Sequence, residues 1–207
     1  MSKYSLRDTN LKGDSFMKHS KLLLLPLLAL TLTSCGPKEV DRDTFIAQVE
    51  TNTAREGQPS YKSGKIEASF KELEKSGDKD LFDGFDLEDL LGDVANRDLT
   101  EDEIEREKIT KESAESLSEV SPLVTDSELK YYVYSDGGVA FEITSTFTVP
   151  EIPLLSKGTT VKSTGTQEFD KYNYPTKTQG VFTITLKQGD KNAKGVFEVK
   201  GSYIYNK

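Results

Sequence analysis

From Glu128 to Asn206 the sequence alternates apolar and polar residues in runs that short turns separate. The first run ends before Asp136-Gly137, a dipeptide typical of a tight hairpin turn, and further runs cover 160–170, 180–187 and 195–206. Because alternate side chains of a strand point to opposite faces, each run supplies one apolar face. The pattern therefore predicts an antiparallel meander of five or six strands.

An N-terminal helix is predicted to cover the apolar face of this sheet. After a cap at Asp41, Phe45 and the apolar residues that follow it fall on one side of a helix that ends near Thr51. Alternation over 61–71 then predicts a half-buried strand. We therefore expect residues 42–207 to form a single α+β domain, with a curved, half-barrel-like antiparallel sheet under the helix.

Residues 74–122 interrupt this domain as an acidic insert. One short helix is expected over 86–95 because its leucines recur at helical spacing. Thr100 and Glu103 have the spacing of a capping box, which predicts the start of a second helix. The apolar stripe of that helix is thin, so two interpretations stay open for the insert: weakly docked helices or partial disorder.

The N-terminal region resembles a targeting signal rather than part of the fold. Lys18 and Lys21 precede an apolar run over 22–32, which is too short to span a bilayer but fits a secretory signal. The stretch before Lys18 is polar, includes Asp8 and Asp14, and delays the basic region, which is unusual for such a signal. We therefore expect residues 1–34 to be a signal peptide whose true initiator is Met17.

The end of the apolar run carries a specific motif. Leu32-Thr33-Ser34-Cys35 resembles the lipobox of bacterial lipoproteins. The resemblance implies that the Cys35 thiol receives diacylglycerol, that the chain is cut before it, and that 35–41 is a lipidated tether. It further implies a lipid-anchored envelope protein that faces outside the cytoplasm, on the cell membrane or an outer membrane.

Removal of the signal peptide leaves a mature chain that lacks several residue types used in catalysis and metal binding. The only His and both Met residues precede Cys35, and the sequence has no Trp. Catalysis by Ser-His-Asp or Cys-His groups is excluded in such a mature chain, and so are zinc sites of His and Cys. The net charge of −8 argues against a nucleic-acid partner. We therefore predict no catalytic residue, no metal site and no cofactor.

Two groups of side chains offer alternative functional sites, one catalytic and one for ligand binding. Glu142, Glu168 and Glu198 lie within strands and could pair for glycoside hydrolysis, but their alternation with apolar neighbours favours outward, structural positions. The tyrosines of the β block could line a sugar or lipid cleft, or could simply stabilise the sheet by cross-strand pairing. They are Tyr131, Tyr132, Tyr134, Tyr172, Tyr174, Tyr203 and Tyr205.

The order of elements also resembles bacterial lipid-carrier and lipoprotein-carrier lipoproteins, and the ending Glu168-Phe169-Asp170-Lys171-Tyr172 is similar to uncharacterised lipoproteins of low-GC Gram-positive bacteria. The first resemblance implies a sheet that holds an apolar ligand beneath helices. Independently of any motif, we expect Phe45, Phe141, Ile143 and Phe147 to line such a site.

Three functions follow from these features. The first is a non-enzymatic lipoprotein that binds an apolar ligand or an envelope protein. The second is a structural or adhesive surface lipoprotein without a small ligand. The third is a glycan hydrolase that uses carboxylates.

Replacement of Cys35 by Ala tests the anchor. We expect an unlipidated precursor or a shed protein, because two or more acyl chains are needed for stable attachment and Cys35→Ala removes them all. Membrane fractionation with intact mass measures both the loss and, from the precursor, the initiator residue. Unchanged recovery in the membrane fraction would contradict lipidation at this residue.

Overall fold

The computed structural model describes residues 36–83, 96–119, 124–148 and 159–207. The expected signal peptide, its initiator Met17, the acylated Cys35 and the helix expected over 86–95 all lie outside these residues.

The described residues form an unclosed eight-stranded sheet with three short helices. Every pair of neighbouring strands is antiparallel, in the order β1-β4-β5-β6-β7-β8-β2-β3. The strands are β1 Lys38–Val40, β2 Ser63–Gly77, β3 Arg97–Thr100, β4 Val124–Val133, β5 Val139–Thr148, β6 Thr160–Phe169, β7 Pro175–Gln188 and β8 Lys191–Asn206. The helices are α1 Arg42–Thr53, α2 Glu101–Glu107 and α3 Lys111–Ser116, and a 3-10 turn covers Lys79–Phe82.

The predicted meander is confirmed for β4 to β8, which follow one another in the sheet. The Asp136-Gly137 turn joins β4 to β5 as expected, with Gly137 in the left-handed region at φ 95°. The Asp136 carboxylate accepts a hydrogen bond from the Gly138 amide at 2.9 Å, and this contact fixes the turn. Local turn chemistry therefore sets the register of this hairpin.

Both edges of the sheet are short strands. β1 has three residues and β3 has four. β1 lies within residues 35–41, the segment expected to be a lipidated tether. Part of that segment therefore belongs to the sheet, where Lys38 is in register with Val133 of β4. The described chain before the sheet is thus only Gly36 and Pro37.

Helix α1 packs its apolar side on one face of the sheet, which we call the helix face. The Asp41 carboxylate accepts a hydrogen bond from the Thr44 amide at 2.8 Å, as expected of the predicted cap. Phe45 and Val49 are fully buried, and their cluster includes Tyr131 and Val139 from β4 and β5. Burial of such side chains contributes about 1.5–3 kcal/mol each.

The acidic insert belongs to the fold wherever it is described. Thr100 and Glu103 form the predicted capping box at the start of α2. The expected second helix is divided in two, because the Ile109 amide donates a hydrogen bond to the Asn173 carbonyl at 3.1 Å. This contact draws Ile109 into the core, where 5% of it is exposed, and Thr110 caps a new helix.

Two buried asparagines join α1 to two turns of the sheet. Asn52 donates hydrogen bonds to the Gly137 carbonyl at 2.8 Å and to the Asn173 side chain at 3.1 Å. Asn173 donates to the Val49 carbonyl at 2.9 Å and to the Thr53 hydroxyl at 3.1 Å. Asn173 also has φ 69°, a conformation that Asn adopts more readily than most residues. We call this pair the asparagine lock.

Substitution of Asn173 by Gly or Ala tests the lock. Asn173→Gly keeps the backbone relaxed but removes the side-chain hydrogen bonds, so unfolding free energy should fall by about 1–3 kcal/mol. Asn173→Ala adds backbone strain of about 1–2 kcal/mol. Urea unfolding measures both variants, and wild-type stability of Asn173→Gly would refute the lock.

Candidate apolar groove

The structure separates the four residues expected to line a ligand site. Phe45 is fully buried, and its ring lies 4.9 Å from that of Tyr131, so it belongs to the core beneath α1. Phe141 and Ile143 are half-buried and line a groove in the middle of the helix face. Phe147 shares their side of β5 but does not line that groove. Of the four residues, Phe141 and Ile143 thus share one groove on the sheet beside the helix.

The groove has a volume of about 210 Å³. It crosses β5 to β8, and all of its lining residues come from these four strands. They are Phe141, Ile143, Gly165, Thr166, Gln167, Thr178, Gln179, Gly180, Phe182 and Val199.

Two glycines that face each other form the floor of the groove. The register aligns Ile143, Gly165, Gly180 and Val199 as one row across the four strands. The two apolar side chains stand at the ends of this row, and the two central positions carry no side chain. The row thus forms a depression between apolar walls.

The backbone does not require glycine at either position. The positive-φ glycines are Gly57, Gly77, Gly137 and Gly189, so neither floor glycine needs a left-handed conformation.

Packing does not require glycine at 165 either. Among the described residues, a methyl group at Gly165 would meet only the Gln179 carbonyl oxygen, at an ordinary 3.6 Å. At Gly180 the Phe182 ring is closer, at 3.3 Å. Since glycine inside a strand weakens it and often marks a close approach to the backbone, the open space above Gly165 is consistent with an occupant.

The lining of the groove is uncharged. Its polar groups include Gln167 and Thr178, which are cross-strand neighbours in the row next to the glycine row. Charged groups have a high cost of desolvation in such a site, whereas an amide and a hydroxyl can hydrogen-bond a neutral group. The groove therefore suits an apolar ligand with at most a small neutral polar group.

A second depression, of about 380 Å³, lies across β2, β7 and β8, and Lys177 and Lys200 line it. Lys177 is 3.4 Å from the Glu168 carboxylate, and Lys200 is 2.9 Å from that of Glu198. These exposed lysines are already paired, so the depression lacks a free charge that would select a ligand.

The three candidate carboxylates are dispersed over the face opposite the helices, which we call the outer face. Glu168 and Glu198 form the ion pairs just described, and the register places them two strands apart. Glu142 lies beside Lys130 in the register of β4 and β5. This placement agrees with the outward, structural interpretation rather than with a carboxylate pair.

Most of the seven tyrosines of the β block pack against other aromatic rings. Tyr61 stacks on Tyr205 with ring centroids 4.8 Å apart, and Tyr174 is edge-on to Tyr61 at 5.0 Å. Burial and a hydrogen bond to Glu105 raise the pKa of Tyr174 far above its ordinary value. Tyr172 and Tyr203 border this cluster beneath α2. Only Tyr132 and Tyr134 are left on the outer face, by the alternation of β4.

Comparisons with protein-family models, curated proteins and solved structures found no match to this chain. Within the described ranges, no group of three or more His, Cys, Asp or Glu side chains is placed to hold a metal ion. The helices of the same ranges include none that is long and apolar enough to cross a membrane.

A methyl group at Gly165 tests whether the groove is open in solution. Gly165→Ala should raise the free energy of unfolding by about 0.5–1 kcal/mol, because alanine loses less backbone entropy on folding. The control is Gly77→Ala, where φ is 78° and the new Cβ would lie 2.3 Å from the Asn192 carbonyl oxygen. This control should destabilise the fold. Urea unfolding that shows equal destabilisation by both changes would mean that the space above Gly165 is filled.

Proposed function

We propose that this chain is a non-enzymatic lipoprotein, anchored outside the cytoplasm through Cys35, that binds an apolar ligand in the groove above Gly165 and Gly180. The lipobox supports the anchor. The single observation that supports ligand binding is the space above Gly165 between apolar walls, because neither the backbone conformation nor the described packing requires glycine there.

We propose further that the domain is a half-barrel-like carrier. Helix α1 covers Tyr131, Val139 and Phe169 at one end of the helix face. The 3-10 turn packs Phe82 near Phe197 at the opposite end, in a second cluster. The groove lies between these two covered regions, where a ligand would contact the sheet directly.

The size of the groove limits what it holds. Pockets that enclose a drug-sized molecule measure about 300–1,000 Å³. A groove of about 210 Å³ suits part of a ligand, such as a short alkyl segment or one apolar side chain of an envelope protein. An uncharged lining without a carboxylate or lysine argues against proton-transfer chemistry at this place.

A second function, that of a structural or adhesive surface lipoprotein, is favoured by the outer face. The threonines of β5, β6 and β7 form a hydroxyl-rich area there, and Thr144 and Thr164 hydrogen-bond each other at 3.2 Å. Such an area suits contact with a polar surface and needs no small ligand. Its other members are Thr146, Thr148, Thr160, Thr166, Thr183 and Thr185.

Titration with a neutral fluorescent lipid distinguishes the two functions. The body from Gly36 to Lys207 should bind the methyl ester of parinaric acid saturably, and Gly165→Val should weaken binding by about tenfold or more, because the added side chain occupies the floor of the groove. Native mass spectrometry of the same samples reports the stoichiometry.

The matched control is Thr164→Val, which adds the same side chain to the same strand on the outer face. Its affinity should equal that of the wild type. No saturable binding by the wild type, or equal binding by Gly165→Val, would reject the groove and favour the surface-contact function.

A further inference from the structure

Lysines on the outer face of the sheet fall into two groups. In the first group each side chain forms an ion pair with a glutamate of the same face, and its members are Lys65, Lys130, Lys177 and Lys200. In the second group the side chains are exposed and have no ion pair or hydrogen bond among the described residues. We call this second group the lysine band: Lys71 of β2, Lys162 of β6, Lys187 of β7 and Lys194 of β8.

The residues opposite the lysine band do not neutralise it. Three of its lysines have only hydroxyl or amide side chains directly across from them in the described strands: Ser76, Thr146, Thr183, Thr185 and Asn192. The fourth, Lys71, lies opposite Glu198, but the Glu198 carboxylate is 2.9 Å from Lys200. The register therefore leaves four unpaired positive charges on one face of a chain whose net charge is −8.

Two carboxylates near the band lower its net charge but do not cancel it. Glu74 lies on the same face of β2, in register with Val196, and Asp190 lies in the turn between β7 and β8. Both are exposed, and neither is in an ion pair within the described ranges. Acidic residues farther away are screened over about 8 Å at physiological salt. Four lysines and two carboxylates thus leave an excess of positive charge at this surface.

The spacing of the band excludes a single small anion as the ligand of all four lysines. Lys71 is in register with Glu198 and Lys187 with Asn192, so the two lysines are two strand spacings and six residues apart. That separation is about 22 Å, which is too far for both side chains to meet at one phosphate. A ligand that engages the whole band must carry several negative charges along a comparable length.

The charge of the neighbouring strands favours a linear polymer over a bilayer. On the same face, β4 and β5 carry Asp126, Glu128 and Glu142. A flat anionic bilayer in contact with the band would also approach these carboxylates and repel them. A narrow chain of phosphates can follow the band without reaching β4.

We infer that the lysine band binds a linear polymer of phosphate groups, which crosses β2, β8, β7 and β6 on the outer face. Lysine binds phosphate as a point charge, and the Thr183 and Thr185 hydroxyls between the lysines can donate hydrogen bonds to phosphate oxygens. The inference names a partner for the surface-contact function proposed above and rests on that function. It depends neither on the anchor nor on the groove, which opens on the helix face.

Fluorescence anisotropy of labelled long-chain inorganic polyphosphate measures binding by the body from Gly36 to Lys207. The slope of log K against log salt should be about −3, because each phosphate neutralised on a single-stranded chain contributes about −0.7. Lys187→Gln should reduce the magnitude of this slope by about 0.7. Replacement of all four lysines by Gln should weaken binding by about tenfold or more.

The matched control is Lys177→Gln, on the same strand as Lys187, because Lys177 is already paired with Glu168. Its slope should equal that of the wild type. Glu74→Gln should tighten binding, a gain that a misfolded protein would not show. Absent or salt-independent binding by the wild type, or equal loss of affinity from Lys177→Gln and Lys187→Gln, would overturn the inference.

Two further ligands separate the alternative partners. Pyrophosphate that competes as well as polyphosphate at the same phosphate concentration would indicate a single-anion site and overturn the inference. Phosphatidylglycerol vesicles that bind more tightly than polyphosphate would indicate a bilayer and overturn it too.

The groove and the band can fail separately. The variant with four Gln should still bind the methyl ester of parinaric acid, and Gly165→Val should still bind polyphosphate, because the two sites lie on opposite faces of the sheet. Loss of polyphosphate binding in Gly165→Val would overturn the assignment of the polymer to the outer face.

Discussion

The asparagine lock fixes the position of α1, and the shape of the helix face depends on that position. Asn52 and Asn173 are uncharged polar residues. Their side-chain amides donate hydrogen bonds to buried backbone carbonyls of α1 and of the Asp136-Gly137 turn. Unsatisfied groups there would cost about 1–3 kcal/mol each. Because the Asn173 carbonyl also accepts the Ile109 amide, the same residue determines where the acidic insert enters the core. One turn of the sheet thus places two separate helical segments, and the groove residues lie outside the clusters that these segments cover.

The floor of the groove shows how a sheet can give up stability for an open surface. Gly165 and Gly180 face each other in the interior of two strands, where each glycine costs about 0.5–1 kcal/mol relative to alanine. A chain selected only for stability would fill the space with alanine or a β-branched residue, and the geometry at Gly165 permits this. The asymmetry between the two faces points the same way, since the outer face carries threonines over the same strands. Among the described residues, neither backbone conformation nor packing accounts for the glycine at position 165.

Local signals made much of the fold predictable from the sequence. The caps at Asp41 and Thr100 and the turn at Asp136 were found because each depends on residues at most three positions apart. The break before α3 was missed because the hydrogen bond that causes it joins Ile109 to a residue more than sixty positions away. The groove was missed for a similar reason. A glycine in a strand is a visible signal, but only the register reveals that Gly165 faces a second glycine.

The pairing of β2 with β8 is the most extensive contact in the sheet, and it joins segments that are far apart in the chain. Asn206 and Ser63, at one end of this pair, are 143 residues apart. Bringing such distant segments together costs chain entropy before their contacts form, so topologies rich in distant pairings fold slowly. β8 lies between β7 and β2, and the sheet divides into two parts until β8 has been added. β2 can pair with β3 early, but its other edge has no partner until more than a hundred further residues have been added and β8 is present. During synthesis this long edge of β2 is therefore open to pairing with other chains.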